Sequence, residues 1–198
     1  MANEYATISD LRLALQMDPA DTTRDSLLAK ALSAAARSID ASCGRRFYLD
    51  AAATARTYNP NGRVLAADGG ERLIVDDLGD TAGLLVEAGT GGVWTAITGY
   101  ETGPDNALVR GRPVTALVMP AGTWGSGSTR VRVTARWGWP AVPDDVVQAT
   151  LIQAARLFRR KDSPEGVTGS AEWGVVRLSR RDPDVWALIE HYILPGFG

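Results

Sequence analysis

The sequence is poor in the residues from which most enzyme chemistry is built. Its 198 residues hold one cysteine, Cys43, and one histidine, His191. A lone cysteine excludes an internal disulfide and a cysteine-based metal cage, and a lone histidine excludes any multi-histidine site. No stretch approaches the roughly 18 consecutive apolar residues of a membrane-spanning helix. The hydrophobic share of 45% and charged share of 22% are instead those of a soluble globular chain. Neither sign of charge prevails: 21 Lys and Arg face 23 Asp and Glu, a net charge of −2. The two signs stay level along the chain, so no basic domain is present to neutralise a phosphate backbone. Lys30 and Lys161 are the only lysines, which leaves 19 of the 21 bases as arginine. The first residues, Met1 to Tyr5, lack a basic n-region and an apolar h-region, so the chain is expected in the cytoplasm.

The motifs of common catalytic sites are missing too. There is no Gly-Lys-Ser/Thr phosphate loop, HExxH or CxxC, and no GxSxG or GxGxxG between a strand and a helix. The carboxylate pairs Asp76-Asp77 and Asp144-Asp145 are adjacent in sequence, where strand neighbours diverge and helix-start acids offset the dipole. One enzymatic arrangement stays open: Asp76 or Glu87 meeting Glu101 across the fold as a glycosidase-like dyad. Cys43, at a helix C-terminus, is expected to be an unreactive thiol, and His191 a surface or packing residue.

What is present is helix signal at both ends and strand signal between. Residues 7–17 predict a short helix capped by Thr7 or Ser9, with Ile8, Leu11 and Leu15 on one face and Asp18-Pro19 as its stop. Residues 24–43 carry Leu28, Leu32, Ala35, Ile39 and Ser42 at helical spacing, and Gly44 follows as a left-handed terminator. Phe47 is expected to pack back onto that stripe. A third helix over 144–160 opens on Asp144-Asp145 and places Val147, Thr150 or Leu151, Ala154 and Phe158 together; Arg156, Arg159, Arg160 and Lys161 form its basic end. Residues 162–174 predict a loop. Asp182-Pro183-Asp184 then starts a last apolar helix containing Val185, Trp186, Leu188, Ile189, Tyr192 and Ile193. That helix either folds onto the long helices as core or is offered to a partner.

From residue 53 to 137 the period changes to that of strands. The runs 55–58, 72–75, 84–87, 93–97, 116–119 and 130–137 are separated by Gly, Asn, Asp and Pro clusters, which predicts an antiparallel region shaped as a small sandwich or barrel. Arg130, Arg132 and Arg136 alternate with Val131, Val133 and Trp137, so the last strand has one basic and one apolar face. The fold class is therefore α+β: a helical core from residues 1–50 and 143–198, with residues 51–142 inserted as the β-rich part.

The Tyr5-Ala6-Thr7-Ile8-Ser9-Asp10-Leu11 start, the helix end Cys43-Gly44-Arg45-Arg46-Phe47, and the segment Arg-Val-Thr-Ala-Arg-Trp-Gly-Trp-Pro-Ala-Val-Pro-Asp-Asp from Arg132 to Asp145 occur in an order that resembles the head–tail connector (adaptor) proteins of tailed bacteriophages. The likeness covers about the first fifty residues and residues 130–160; the long middle departs from the shorter family pattern. It implies a non-enzymatic structural subunit of the virion neck, without cofactor or metal, made in the host cytoplasm. About a dozen copies would form a ring under the portal protein, with a tail-completion protein on the far side and DNA passing through unspecifically. From the apolar density of the segment beyond the 162–174 loop, Trp186, Tyr192, Ile193, Leu194 and Phe197 are expected to form a partner interface. Arg130, Arg132 and Arg136 would be a channel or subunit-contact face, and loop 162–174 would order on assembly. The alternative is a small ligand-binding or hydrolytic module, with loops 89–92 and 122–128 around the mouth of the β-rich region. Another neck protein of the same particle is the third reading.

Overall fold

Thr7 and Asp10 close a reciprocal cap at the start of the described chain. The computed structural model describes residues 3–67, 69–125, 127–160, 167–168, 176–177 and 182–194. Most of the expected 162–174 loop, and Phe197, lie outside them. The Asp10 N–H donates to Thr7 Oγ1 at 3.1 Å while the Thr7 N–H donates to Asp10 Oδ2 at 3.2 Å, which satisfies two orphan donors of helix α1 (Ile8–Ala14). This helix is shorter than the expected 7–17 because Gln16 takes φ 57° and turns the chain. Helix α2 (Asp25–Cys43) ends at Gly44 with φ 67°. Helix α3 spans Asp144–Arg160. Helix α4 (Pro183–Ile189) is capped by Asp182 Oδ1, which accepts from the N–H groups of Asp184 and Val185 at 3.0 and 3.4 Å.

These helices belong to one compact unit, Met1–Phe47 with Val142–Gly198. Its centre is Leu11 of α1, Leu28, Leu32 and Ala35 of α2, and Ala154 and Phe158 of α3. The buried stripe on α2 continues through Ile39 to Cys43 rather than to Ser42, which is exposed. On α3, Thr150 is fully buried in place of Leu151, its hydroxyl donating to the Val146 carbonyl at 2.7 Å. α4 packs on α3 and buries Val185 and Ile189. Within this unit Val167–Thr168 also pairs antiparallel with Val176–Arg177.

The second unit, Tyr48–Ala141, is built on one antiparallel sheet. Its strands are β1 (Thr54–Tyr58), β2 (Val64–Ala67), β3 (Gly70–Thr90), β4 (Val93–Ala96), β5 (Glu101–Gly103), β6 (Val114–Met119) and β7 (Arg130–Trp137). They run in the order β1-β7-β3-β6-β5, with β2 and β4 also paired to β3. The α+β class is the one observed, and the sheet is large and not closed into a barrel. The runs 72–75 and 84–87, expected as separate strands, are the two halves of β3. The first half pairs with β2 and β6 and the second with β4 and β7. Register shifts between Leu78 and Leu85 let the 21-residue strand bend between these partners. β2 and β5 are strands that the composition does not announce.

Along β7 the alternation is complete. Val131, Val133, Ala135 and Trp137 are buried, while Arg130, Arg132, Thr134 and Arg136 stay partly exposed on the other face. The buried side joins Tyr58, Leu73, Leu78, Val86, Leu117 and Trp124 in one core. Trp137 brings the polar handle that a buried indole needs: its Nε1–H donates to the Thr54 carbonyl at 2.8 Å.

Candidate functional site

In the helical unit, the expected partner segment is fastened before it can be offered. Phe47 is buried between Tyr5 and Tyr192, edge to face with each, at ring-centroid distances of 5.9 and 5.3 Å. The Leu194 N–H donates to the Cys43 carbonyl at 2.9 Å, and Tyr192 Oη reaches Asp145 Oδ2 at 3.4 Å. His191 stacks on Tyr192 and brings Nε2 to 3.6 Å from Asp145. Trp186, Tyr192 and Ile193 are half-buried, whereas Leu194 is 42% exposed. The structure thus brings Tyr192 and Leu194 against the end of α2, Tyr192 on Phe47 and Leu194 on the Cys43 carbonyl. The sequence sign of that role is an aromatic, Phe47, shortly after the helix-ending Gly44.

The N-terminal segment is tied to the same place. Tyr5 Oη donates to Asp40 Oδ1 and accepts the Phe47 N–H at 2.9 Å. Burial pushes the Tyr5 hydroxyl well above its usual range and raises the Asp40 carboxyl, against the lowering effect of Tyr5 and Arg37. Cys43 is fully buried, and burial pushes its thiol up to about 11.

In the sheet unit, two of the three arginines of the basic face, Arg132 and Arg136, are charge-paired. Arg132 grips Glu87 with two bonds, 2.7 and 2.9 Å, and its guanidinium lies 4.4 Å over the Trp94 ring. The bond from Arg132 holds the Glu87 carboxyl below its usual range. Arg136 donates to Asp80 at 3.0 Å and to the Asp50 carbonyl at 3.0 Å. Arg130 donates to Asn59 Oδ1 and to the Gly127 and Thr129 carbonyls. Arg132 and Arg136 thus form two ion pairs joining β7 to β3. Trp94 and Glu87 are its unforeseen members, because a cross-strand partner carries no local signal.

Of the three acids named for a catalytic dyad, Asp76 and Glu87 are engaged by arginines. Asp76 is held by Arg56 at 2.7 Å and lies 3.7 Å from Arg63, while Glu87 is held by Arg132. No cluster of three metal-ligating side chains occurs among the described residues, and no described helix is long and apolar enough to cross a membrane.

No family model matches the chain, and no curated protein matches it. Solved structures do. One is a chain in the neck of an empty gene transfer agent (GTA) particle computed with C6 symmetry, 18% identical, with a TM-score of 0.54 and coverage of 96% of this chain and 91% of that one. Another belongs to the virion of a native GTA particle, also 18% identical, with a TM-score of 0.55 and the same coverages. What is shared at this identity is the fold.

Proposed function

We propose that this chain is a structural subunit of the neck of a phage-like particle: a head-to-tail connector rather than an enzyme. Copies assemble into a ring under the portal protein, hand over to a tail-completion protein on the other side, and surround the passing DNA without reading its sequence. The observation that carries this reading is the fold shared over 96% of the chain with a subunit of a GTA neck. The segment likeness to phage connectors points the same way. A ring of about a dozen copies is also a multiple of the six-fold symmetry with which that neck was computed.

The chemistry is compatible with a role played through surfaces. An assembled ring needs two different faces on each subunit, because its contacts are heterologous. A DNA conduit works best without a strong grip, and the balance of 21 bases against 23 acids provides none. In this reading Leu194, with Trp186, Tyr192 and Ile193 behind it, is the portal-side or neighbour contact of the helical unit. The Arg130, Arg132 and Arg136 face serves as a channel or subunit contact whose charge is offset by Glu87 and Asp80. The reading is tested by the mass of the purified protein, alone and mixed with the portal ring of the same genome. A stable complex carrying many copies is expected; no association across a range of salt concentrations overturns it.

A further inference from the structure

Val109 and Leu13 are the two most exposed large apolar side chains among the described residues, 88% and 78% accessible. Val109 is followed in sequence by Arg110 and Arg112, and Leu13 by Asp18 and Asp21, so the charges that follow the two are mainly of opposite sign.

Val109 sits at the tip of the loop between β5 and β6, on a single 3-10 turn, Leu108–Arg110, closed by Gly111 at φ 69°. The tip is a rigid object. The Arg110 N–H donates to the Asn106 carbonyl at 3.1 Å, the Gly111 N–H to Leu108 at 3.0 Å and the Arg112 N–H to the Ala107 carbonyl at 2.9 Å, with Ala107 buried beneath. Arg110 and Arg112 are exposed, and neither guanidinium has a partner among the described residues. Asp105 is the loop's single acid.

Leu13 is in the last turn of α1, and the chain that follows folds back to its neighbour Arg12. Arg12 donates to the Pro19 carbonyl at 3.5 Å and pairs with Asp25, which holds the intervening loop in place. That loop carries Asp18 and Asp21, whose Oδ1 atoms accept backbone N–H groups at 2.9 Å each and so are fixed in direction; Arg24 is its one base.

We infer that the Val109, Arg110 and Arg112 tip of one copy docks on the Leu13, Asp18 and Asp21 patch of the next copy. The inference rests on the ring reading above and names the contact that closes it. A head-to-tail ring demands two unlike, mutually complementary surfaces on one chain. These two are complementary in charge, and each has an apolar centre that water leaves on contact. DNA is the other conceivable partner for the two arginines. A phosphate backbone gives an 88% exposed valine next to them nothing to bury against, and it leaves Leu13 unexplained.

The test uses the full chain and two charge-reversed variants, Arg110→Glu with Arg112→Glu, and Asp18→Arg with Asp21→Arg. Melting curves establish that both are folded. Ring formation, alone or on the portal ring, is read by mass. Each variant by itself is expected to assemble at least about tenfold more weakly than wild type, because its two surfaces then repel. Mixed in equal amounts, the two variants are expected to restore the ring, since every acidic tip then meets a basic patch. If wild type forms no ring, the connector reading fails. If wild type forms the ring and either variant does so equally well, the proposed contact is overturned while that reading stands. Loss of DNA retention by the tip variant with assembly intact assigns the arginines to DNA and likewise overturns it.

Discussion

Gly138 stands against the carbonyl oxygen of Tyr48, so close that a Cβ at position 138 would lie 1.8 Å from that oxygen. The contact fastens the chain where it opens the sheet unit to the chain where it leaves. The Asp50 N–H donates to the Trp137 carbonyl at 2.8 Å, the Gly138 N–H to the Asp77 carbonyl at 2.8 Å, and Trp139 Nε1 to Asp77 Oδ2 at 3.1 Å. Gly138 has φ 109°, a conformation that side chains rarely adopt.

Gly138→Ala therefore meets backbone on one side and strain on the other, and is expected to lower stability by roughly 2–4 kcal/mol. Gly83→Ala is the control. It has φ 70° but open space around it, so its cost is about 1 kcal/mol, from conformation alone. Chemical denaturation of both variants checks the difference.

Tyr5→Phe removes a donor to Asp40 and the acceptor of the Phe47 N–H. A buried N–H left unsatisfied costs about 1–3 kcal/mol, so the variant is expected to be less stable by that amount and to melt at a lower temperature. The melting temperature of Tyr5→Phe against wild type tests this.

Asp40 and Glu87 should give opposite pH signatures. The folded state raises the Asp40 carboxyl above its usual 3.8, so the favourable balance present below that value declines as pH rises through the folded one. Asp40→Asn lacks this decline and gains on wild type across that acidic window. Glu87 is lowered from 4.5 by its bond from Arg132; its contribution is complete above 4.5 and vanishes as pH falls through the folded value. Wild type should exceed Glu87→Gln at neutral pH and match it in strong acid. Stability measured against pH for the two variants gives both curves.

Cys43 should resist thiol reagents while the chain is folded. It is fully buried, with its thiol pushed up to about 11, so at pH 8 few molecules carry the thiolate that reacts. Labelling is expected to proceed only in denaturant. Rapid labelling of the native protein would contradict the buried placement.

Ile189 and Leu194 separate packing from contact in one short segment. Ile189 is buried against the helical core and Leu194 is 42% exposed. Ile189→Ala is expected to cost about 2–5 kcal/mol. Leu194→Ala should leave stability within about 0.5 kcal/mol and weaken assembly if the proposed partner contact holds. Melting and ring mass, measured together, decide both.

The helices were legible because their signals are local. Thr7 or Ser9 at the start of α1, Gly44 after Cys43, Asp144-Asp145 and Asp182-Pro183 each act within one turn of the backbone they terminate, and a 3.6-residue period requires no partner to be read. The alternation of arginine and apolar residues on β7 was readable for the same reason. β3 was not: Asp76-Asp77-Leu78-Gly79-Asp80 has the composition of a turn, and only pairing with β6 on one side and β7 on the other makes it part of a strand. The basic face likewise ceased to be simply basic once Glu87 and Asp80 came alongside. The sequence by itself determined the helices, their caps, the strand-rich middle and the α+β class, all from interactions a few residues long. Tertiary structure alone decided the single sheet, the seating of Tyr192 and Leu194 on Phe47 and Cys43, and the neutralised arginines. Those depend on residues 45 to 151 positions apart, whose meeting is set by the packing of the unit they share.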